Sequence, residues 1–415
     1  MPKTKILKRT ITNLVVPIPG GVTQAMGFRA GGIRAGIKAS GEDDLALLVS
    51  DTDCTAAGTF TTNAIRASSV DWCEKRLPSD RIRAVAVVSG CANACTGLQG
   101  EKDTARMAEA SAAAAGIPAE SVLVASTGMI GKFLPMEKVN DGFRRLAPLL
   151  SSRGGSMFTR AIMTTDTVKK EAAVRVKLVT GSTGTIVIGG CVKGSGMICP
   201  NMATMLAFIT TDAKIAAGRL NTMVKRAVDR TFNNLTVDGD TSTNDMVLVL
   251  ANGASGSTIA SEPEVQAFEE GLMTVCTDLC KKVAADGEGA TKRVEIIVRG
   301  AATEAGAKKT ARAVANSNLV KCALFGNDPN WGRIACAVGY SGTAFSREKM
   351  TILLCGVPVF RNLQPVPFDE KKLHRMLKEK TVTIELMLGC GDKTAIAHTC
   401  DFSYDYVKIN AEYHT

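Results

Sequence analysis

Residues 193–213 read KGSGMICPNMATMLAFITTDA. Gly194, Gly196 and Pro200 are turn residues, 202–208 is mostly apolar, and the run closes on Thr210-Thr211-Asp212. Turn chemistry on one side and a strand-like apolar run on the other leave Thr204 at the junction. A threonine hydroxyl is a poor nucleophile unless a base sits beside it. The nearest base is its own α-amine, exposed only if the bond from Ala203 to Thr204 is cut. An α-amine titrates at about 8, so it can take a proton near neutral pH. The small Ala203 leaves room for the hydroxyl to turn back onto the Ala203 carbonyl. The same segment also fits a plain buried strand without chemistry.

Outward from this stretch, apolar runs alternate with amphipathic segments. Strands are expected over 84–88, 122–125, 185–188, 293–298, 350–354 and 382–388, and helices over 101–115, 216–232, 263–285 and 303–315. Ser261 and Glu264 have capping-box spacing before the third helix, and Pro263 falls in its first turn. Alternation of this kind argues for layered α/β architecture. The Gly-rich turn 286–289 marks the expected boundary between a main body, 1–285, and a smaller C-terminal α/β unit, 286–415. A cut before Thr204 falls inside the main body, so its fragments, 1–203 and 204–415, would share one core.

Composition narrows the class. With 45% hydrophobic residues and 5% aromatic, the chain can bury a large aliphatic core. The thirteen cysteines are scattered without C-x₂-C pairs, and only three histidines accompany them, so they read as reduced core residues rather than metal ligands. The N-terminus is basic, but its apolar patch is short and broken by prolines, which argues against a signal peptide. No run approaches the length of a membrane span. The net charge of +10 is dispersed, with no basic block and no aromatic interleaving, so it reads as a solvated surface suited to carboxylate substrates and not as a nucleic-acid interface. The expected location is cytoplasmic.

Several blocks together resemble the ornithine acetyltransferase family, the bifunctional glutamate N-acetyltransferases of arginine biosynthesis. They are Ala203-Thr204-Met205-Leu206, Gly20 to Thr23 with Gly27 to Lys38, Ser89 to Gly97, Thr236 to Asp245, Phe325 to Arg333 and the C-terminus from Asp401 to Thr415. The family carries Asn where Cys91 and Val88 stand, departures that bear on local hydrogen bonding. The resemblance implies a self-cleaving layered fold of the N-terminal-nucleophile type, with Thr204 released by a cut after Ala203. It implies an oxyanion hole at Thr127 and Gly128 and substrate contacts at Thr164, Lys193, Thr204, Glu288, Asn410 and Thr415. From the residues alone, Thr127-Gly128 also fits an ordinary strand-to-turn transition. Lys193 likewise fits a solvated surface lysine, and Glu288 a turn carboxylate exposed to water. His414 reads as incidental.

The reaction implied moves an acetyl group from N-acetylornithine to glutamate through acetyl-Thr204, with ping-pong kinetics. It needs no metal and no nucleotide cofactor. Acetyl-coenzyme A serves some family members as a second acetyl donor, and the family assembles as α₂β₂ heterotetramers. Two rivals remain. A self-activating N-terminal-nucleophile aminopeptidase or amidase would share the cut and the oxyanion donors, but would release free acetate. A basic nucleic-acid-associated protein would bind in a salt-sensitive way.

Overall fold

The structure, a computed structural model, describes residues 14–178, 184–199 and 205–412. Fifteen strands among them form two sheets. In chain order they are β1 (Val15–Ile18), β2 (Phe28–Ile33), β3 (Leu45–Phe60), β4 (Ser79–Cys91), β5 (Val122–Met129), β6 (Lys170–Lys177), β7 (Thr185–Lys193), β8 (Leu206–Thr211), β9 (Met246–Ala251), β10 (Arg293–Ala301), β11 (Thr351–Leu354), β12 (Val357–Arg361), β13 (Gln364–Pro365), β14 (Thr381–Met387) and β15 (Lys393–Cys400).

The larger sheet runs β1-β6-β7-β8-β9-β3-β4-β5, with β2 beside β3. Long β3 joins its two halves. Leu45–Ser50 pairs with β2, Thr55–Phe60 pairs with β9, and β4 follows β3 from Leu45 to Ala56 across register shifts. Side chains alternate across each strand, so in a strand buried on both faces the two parities feed different cores. In β8, Leu206 and Phe208 join one cluster, Ala207 and Ile209 another. In β4, Val85 and Val87 face the first cluster, while Ala84, Ala86 and Val88 face a third. The cluster shared by both halves lies between them. Its outer counterparts are covered by helices Ala217–Arg230 and Glu262–Ala285 on one side, and by Gly97–Ala115 and Met136–Leu146 on the other. The result is a layered α/β sandwich.

Helix Gly155–Ile162 wedges in where the halves meet. Phe158 meets Phe208 edge-on, with ring centroids 5.4 Å apart. Gly32 on β2 lies so close to this helix that a Cβ there would stand 2.3 Å from the Met157 carbonyl oxygen.

The second sheet, β13-β12-β11-β14-β10-β15, packs one face against helices Glu304–Ala315 and Trp331–Gly339. β10 and β14 are parallel; β15 returns antiparallel to β10. Helix Glu262–Ala285 opens with the capping box read from sequence, the Glu264 carboxylate accepting the Ser261 N–H at 2.8 Å. All ten expected elements are present with ends shifted by a few residues. The expected helix over 216–232 stops at Arg230, because Thr231 leaves helical torsions and a short 3₁₀ turn, Phe232–Asn234, follows. Cys54, Cys73, Cys191, Cys276, Cys280 and Cys400 are buried core residues, whereas Cys95, Cys322 and Cys336 are exposed, so the reading of the cysteines as core holds only in part.

Candidate active site

A cavity of about 260 Å³ lies at one end of the sandwich, where the last residues of β5 and β7 meet the first of β8. Thr127, Gly128, Thr164, Lys193, Glu288 and Asn410 all line it. So does Met205, the described residue that follows Thr204 in the chain. Ala203, Thr204, His414 and Thr415 lie outside the described residues.

Thr127 and Gly128 sit near the end of β5, parallel to β4. Gly128 has φ +123°, and a Cβ there would lie 2.7 Å from Gly90 Cα, so the position admits glycine alone. Ser126, just before Thr127, is held by Asn244, whose side-chain amide donates to the Ser126 carbonyl at 2.8 Å and to the Ala92 carbonyl at 2.6 Å. Cys91, one of the two departures noted above, keeps its own bond: its thiol donates to the Lys132 carbonyl at 3.1 Å.

Lys193 is the last residue of β7, paired with Leu206 of β8. Its ammonium donates to the Thr127 hydroxyl oxygen at 3.2 Å. Lys193 is half-buried and faces the cavity, not open solvent. Burial pulls its ammonium below the usual lysine range, while Asp166, Asp245 and Glu288 oppose that pull.

Behind this lysine lies a buried charge cluster. Lys170 donates to Asp166 at 2.6 Å and also pairs with Asp286. Asp166 further accepts the Gly194 N–H at 2.7 Å and the Thr164 N–H at 3.0 Å. Burial alone would raise the Asp166 carboxyl; Lys170 and Lys193 hold it below the ordinary aspartate value. Asp286 accepts the Thr167 N–H at 3.0 Å, and its carbonyl accepts the Ser195 hydroxyl. The cluster therefore ties the Thr164 turn, the Lys193–Ser195 turn and the Asp286–Glu288 turn together.

Glu288 follows the last turn of helix Glu262–Ala285 and is buried, with only 8% of its surface exposed. Its N–H donates to the Ser195 carbonyl at 3.0 Å. The carboxylate rests on Gly196, where a Cβ would stand 2.2 Å from Glu288 Oε2. Asn410, from the C-terminal helix Tyr404–Glu412, donates to that carboxylate at 2.9 Å. Tyr406, one turn earlier, reaches Asp238 at 3.3 Å. Asp238 also accepts the N–H groups of Met197 at 2.7 Å and Ile198 at 2.9 Å, fixing Met197 at φ +54°. Burial raises the Asp238 carboxyl above its usual value.

Sequence reading did not assign Asp166, Lys170, Asp286, Asp238, Tyr406 or Asn244. Lys170 carried a signal nonetheless: it shares strand parity with Ala172, Val174 and Val176, which places it on the buried face of β6. Among the described residues no cluster suited to a metal ion occurs, and no helix is long and apolar enough to cross a membrane.

A cationic donor, a hydroxyl beside a glycine and a buried carboxylate thus converge on a space sized for a small zwitterion. Comparison with known proteins agrees with a family assignment. The family model described as ArgJ family matches residues 29–415. The arginine biosynthesis bifunctional protein ArgJ of Symbiobacterium thermophilum is 49% identical over 96% of this chain and 99% of its own length. That of Thermosynechococcus vestitus is 48% identical over the same shares of the two chains. A crystal structure of the arginine biosynthesis bifunctional protein argJ from Bacillus halodurans superposes with a TM-score of 0.50 at 45% identity, covering 51% of this chain and all of that one. The chain belongs to the ArgJ family.

Proposed function

We propose that this chain is a self-cleaving acetyltransferase of arginine biosynthesis that carries the acetyl group of N-acetylornithine to glutamate. The supporting observation is convergence. Thr127, Gly128, Thr164, Lys193, Glu288 and Asn410, drawn from distant parts of the sequence, line one cavity together with Met205, next in the chain to Thr204. Membership of a family whose curated relatives are named arginine biosynthesis bifunctional proteins supports the same reading.

In maturation, Thr204 Oγ attacks the Ala203 carbonyl, and the bond from that carbonyl to the Thr204 nitrogen breaks to leave an ester. Water hydrolyses the ester, giving chains 1–203 and 204–415 and a free Thr204 amine. In turnover, that amine takes the hydroxyl proton as Oγ attacks the acetyl carbonyl of N-acetylornithine. Collapse of the tetrahedral state returns the proton to the leaving amine, freeing ornithine and acetyl-Thr204. The glutamate amine then attacks the ester and regenerates Thr204 with N-acetylglutamate. Thr127 and Gly128 stabilise each oxyanion, a task in which one donor is worth about 3 kcal/mol. Lys193 pairs with a substrate carboxylate. Glu288 and Asn410, with Thr164 and Thr415, hold the remainder of the amino acid.

The half-length coverage of the Bacillus halodurans chain supports a product of about that size. Two such chain pairs would form the α₂β₂ assembly. The division into a body, 1–285, and a smaller unit, 286–415, belongs to the same reading, supported by the separate sheets on either side of the Gly287–Gly289 turn.

The test is an assay of purified enzyme with N-acetylornithine and glutamate. Ornithine and N-acetylglutamate should form in equal amounts. Free acetate without N-acetylglutamate would favour an amidase. Replacing N-acetylornithine by acetyl-coenzyme A in the same assay tells whether the chain also uses that donor.

A further inference from the structure

We propose that Asp166 is a positioning residue for acyl transfer: anchored by Lys170, which Asp286 holds from its other side, its carboxylate fixes the turn after β7 and balances the charge of the Lys193 ammonium, which in turn orients the Thr127 hydroxyl. The inference rests on Thr127 serving as an oxyanion donor, as argued above.

Asp166 and Lys170 side chains have no exposed surface, and Asp286 almost none. Two carboxylates around one ammonium leave a surplus negative charge buried in the protein, which is costly unless a further cation lies near. Lys193 is that cation. Asp166 grips the backbone directly after it, through the Gly194 N–H at 2.7 Å, and the two side chains interact electrostatically. The Lys193 ammonium in turn donates to Thr127 Oγ1 at 3.2 Å. A hydroxyl has one proton and accepts elsewhere, so an oxygen already accepting from an ammonium directs its own proton away from that donor. A donor polarised in this way is also stronger.

The charged groups facing Lys193 are Asp166, Asp245 and Glu288, which favour its protonated form, and Lys170 and Lys38, which oppose it. Removing the Asp166 charge tips this balance towards the neutral amine. It does so without removing a group that touches substrate.

The experiment follows Lys193 directly. The purified protein is treated with acetic anhydride across a pH series, and acetylation of Lys193 is read by peptide mass spectrometry. In Asp166→Asn, the pH of half-maximal labelling should fall by about one to three pH units, as loss of a nearby opposite charge produces. Asp166→Ser removes the same charge, should move it the same way, and stands as the second variant should Asp166→Asn fail to fold. Asp166→Glu should restore much of the wild-type profile. The basic limb of kcat/KM should follow the labelling, a change that mere loosening of the fold would not cause. An unmoved labelling profile in the folded variants overturns the proposal. Labelling needs no turnover, so that result leaves acetyl transfer standing. A wild type that makes no N-acetylglutamate refutes the acetyltransferase reading instead.

Discussion

The Asn410 amide donates to the Glu288 carboxylate across 2.9 Å, joining the C-terminal helix to the turn that follows helix Glu262–Ala285. These residues stand 122 positions apart, and both line the cavity. Glu288→Gln removes the negative charge and keeps the shape. A charge-assisted hydrogen bond contributes about 1.5–3 kcal/mol, so KM for N-acetylornithine should rise by roughly ten- to a hundredfold with a smaller change in kcat. Asn410→Ala should raise it less. Steady-state kinetics decide; an equal loss in kcat would assign Glu288 to the chemistry instead of to binding.

Thr127→Val keeps the branched shape and deletes the hydroxyl. The expected result is a fall in kcat of about 10²–10³-fold with KM little changed, since the donor acts on charge that develops only in the transition state. A KM effect alone would make Thr127 a substrate contact.

The fold between the sheet halves can be tested apart from activity. Phe208 is fully buried and meets Phe158 edge-on. Phe208→Ala should cost about 3–5 kcal/mol of stability in urea unfolding. A cost below 1 kcal/mol (~) would mean that the halves do not close on this ring.

His398 sets an acid sensitivity. Burial, aided by Lys281 and Arg293, lowers its pKa from 6.5 to about 3. Its Nδ1 finds no hydrogen-bond partner among the described residues. A base whose folded pKa is depressed binds a proton in the unfolded chain first. Its contribution to stability is thus complete above pH 6.5 and declines as pH falls towards 3. Urea unfolding between these limits should show stability rising with pH, and His398→Leu should flatten that slope. An unchanged slope would assign the acid sensitivity to other groups.

Strands β4 and β5 were legible because both their faces are buried and apolar, so 84–88 and 122–125 stand out as unbroken aliphatic runs. β3 was not: Asp51-Thr52-Asp53 interrupts it, and these exposed polar residues lie where the strand passes from one half of the sheet to the other. Helix Gly155–Ile162 was hidden because its first residue belongs to a Gly-Gly pair that reads as a turn. At the site, Thr127 and Lys193 stand out as single polar residues inside recognisable blocks, and both line the cavity. The cluster of Lys170 with Asp166 and Asp286 was not legible, because Asp286 is 116 residues from Lys170 and only the folded chain brings them together. Local periodicity carries burial; it does not carry pairing across such distances.

In the proposed mechanism Thr204 becomes a chain terminus and then carries the acetyl group. Mass spectrometry of active enzyme, held with N-acetylornithine and no glutamate, tests both parts at once. The expected result is a polypeptide whose first residue is Thr204, bearing one acetyl group that disappears when glutamate is added. Active enzyme consisting only of uncut chain, with Thr204 unmodified, would contradict it.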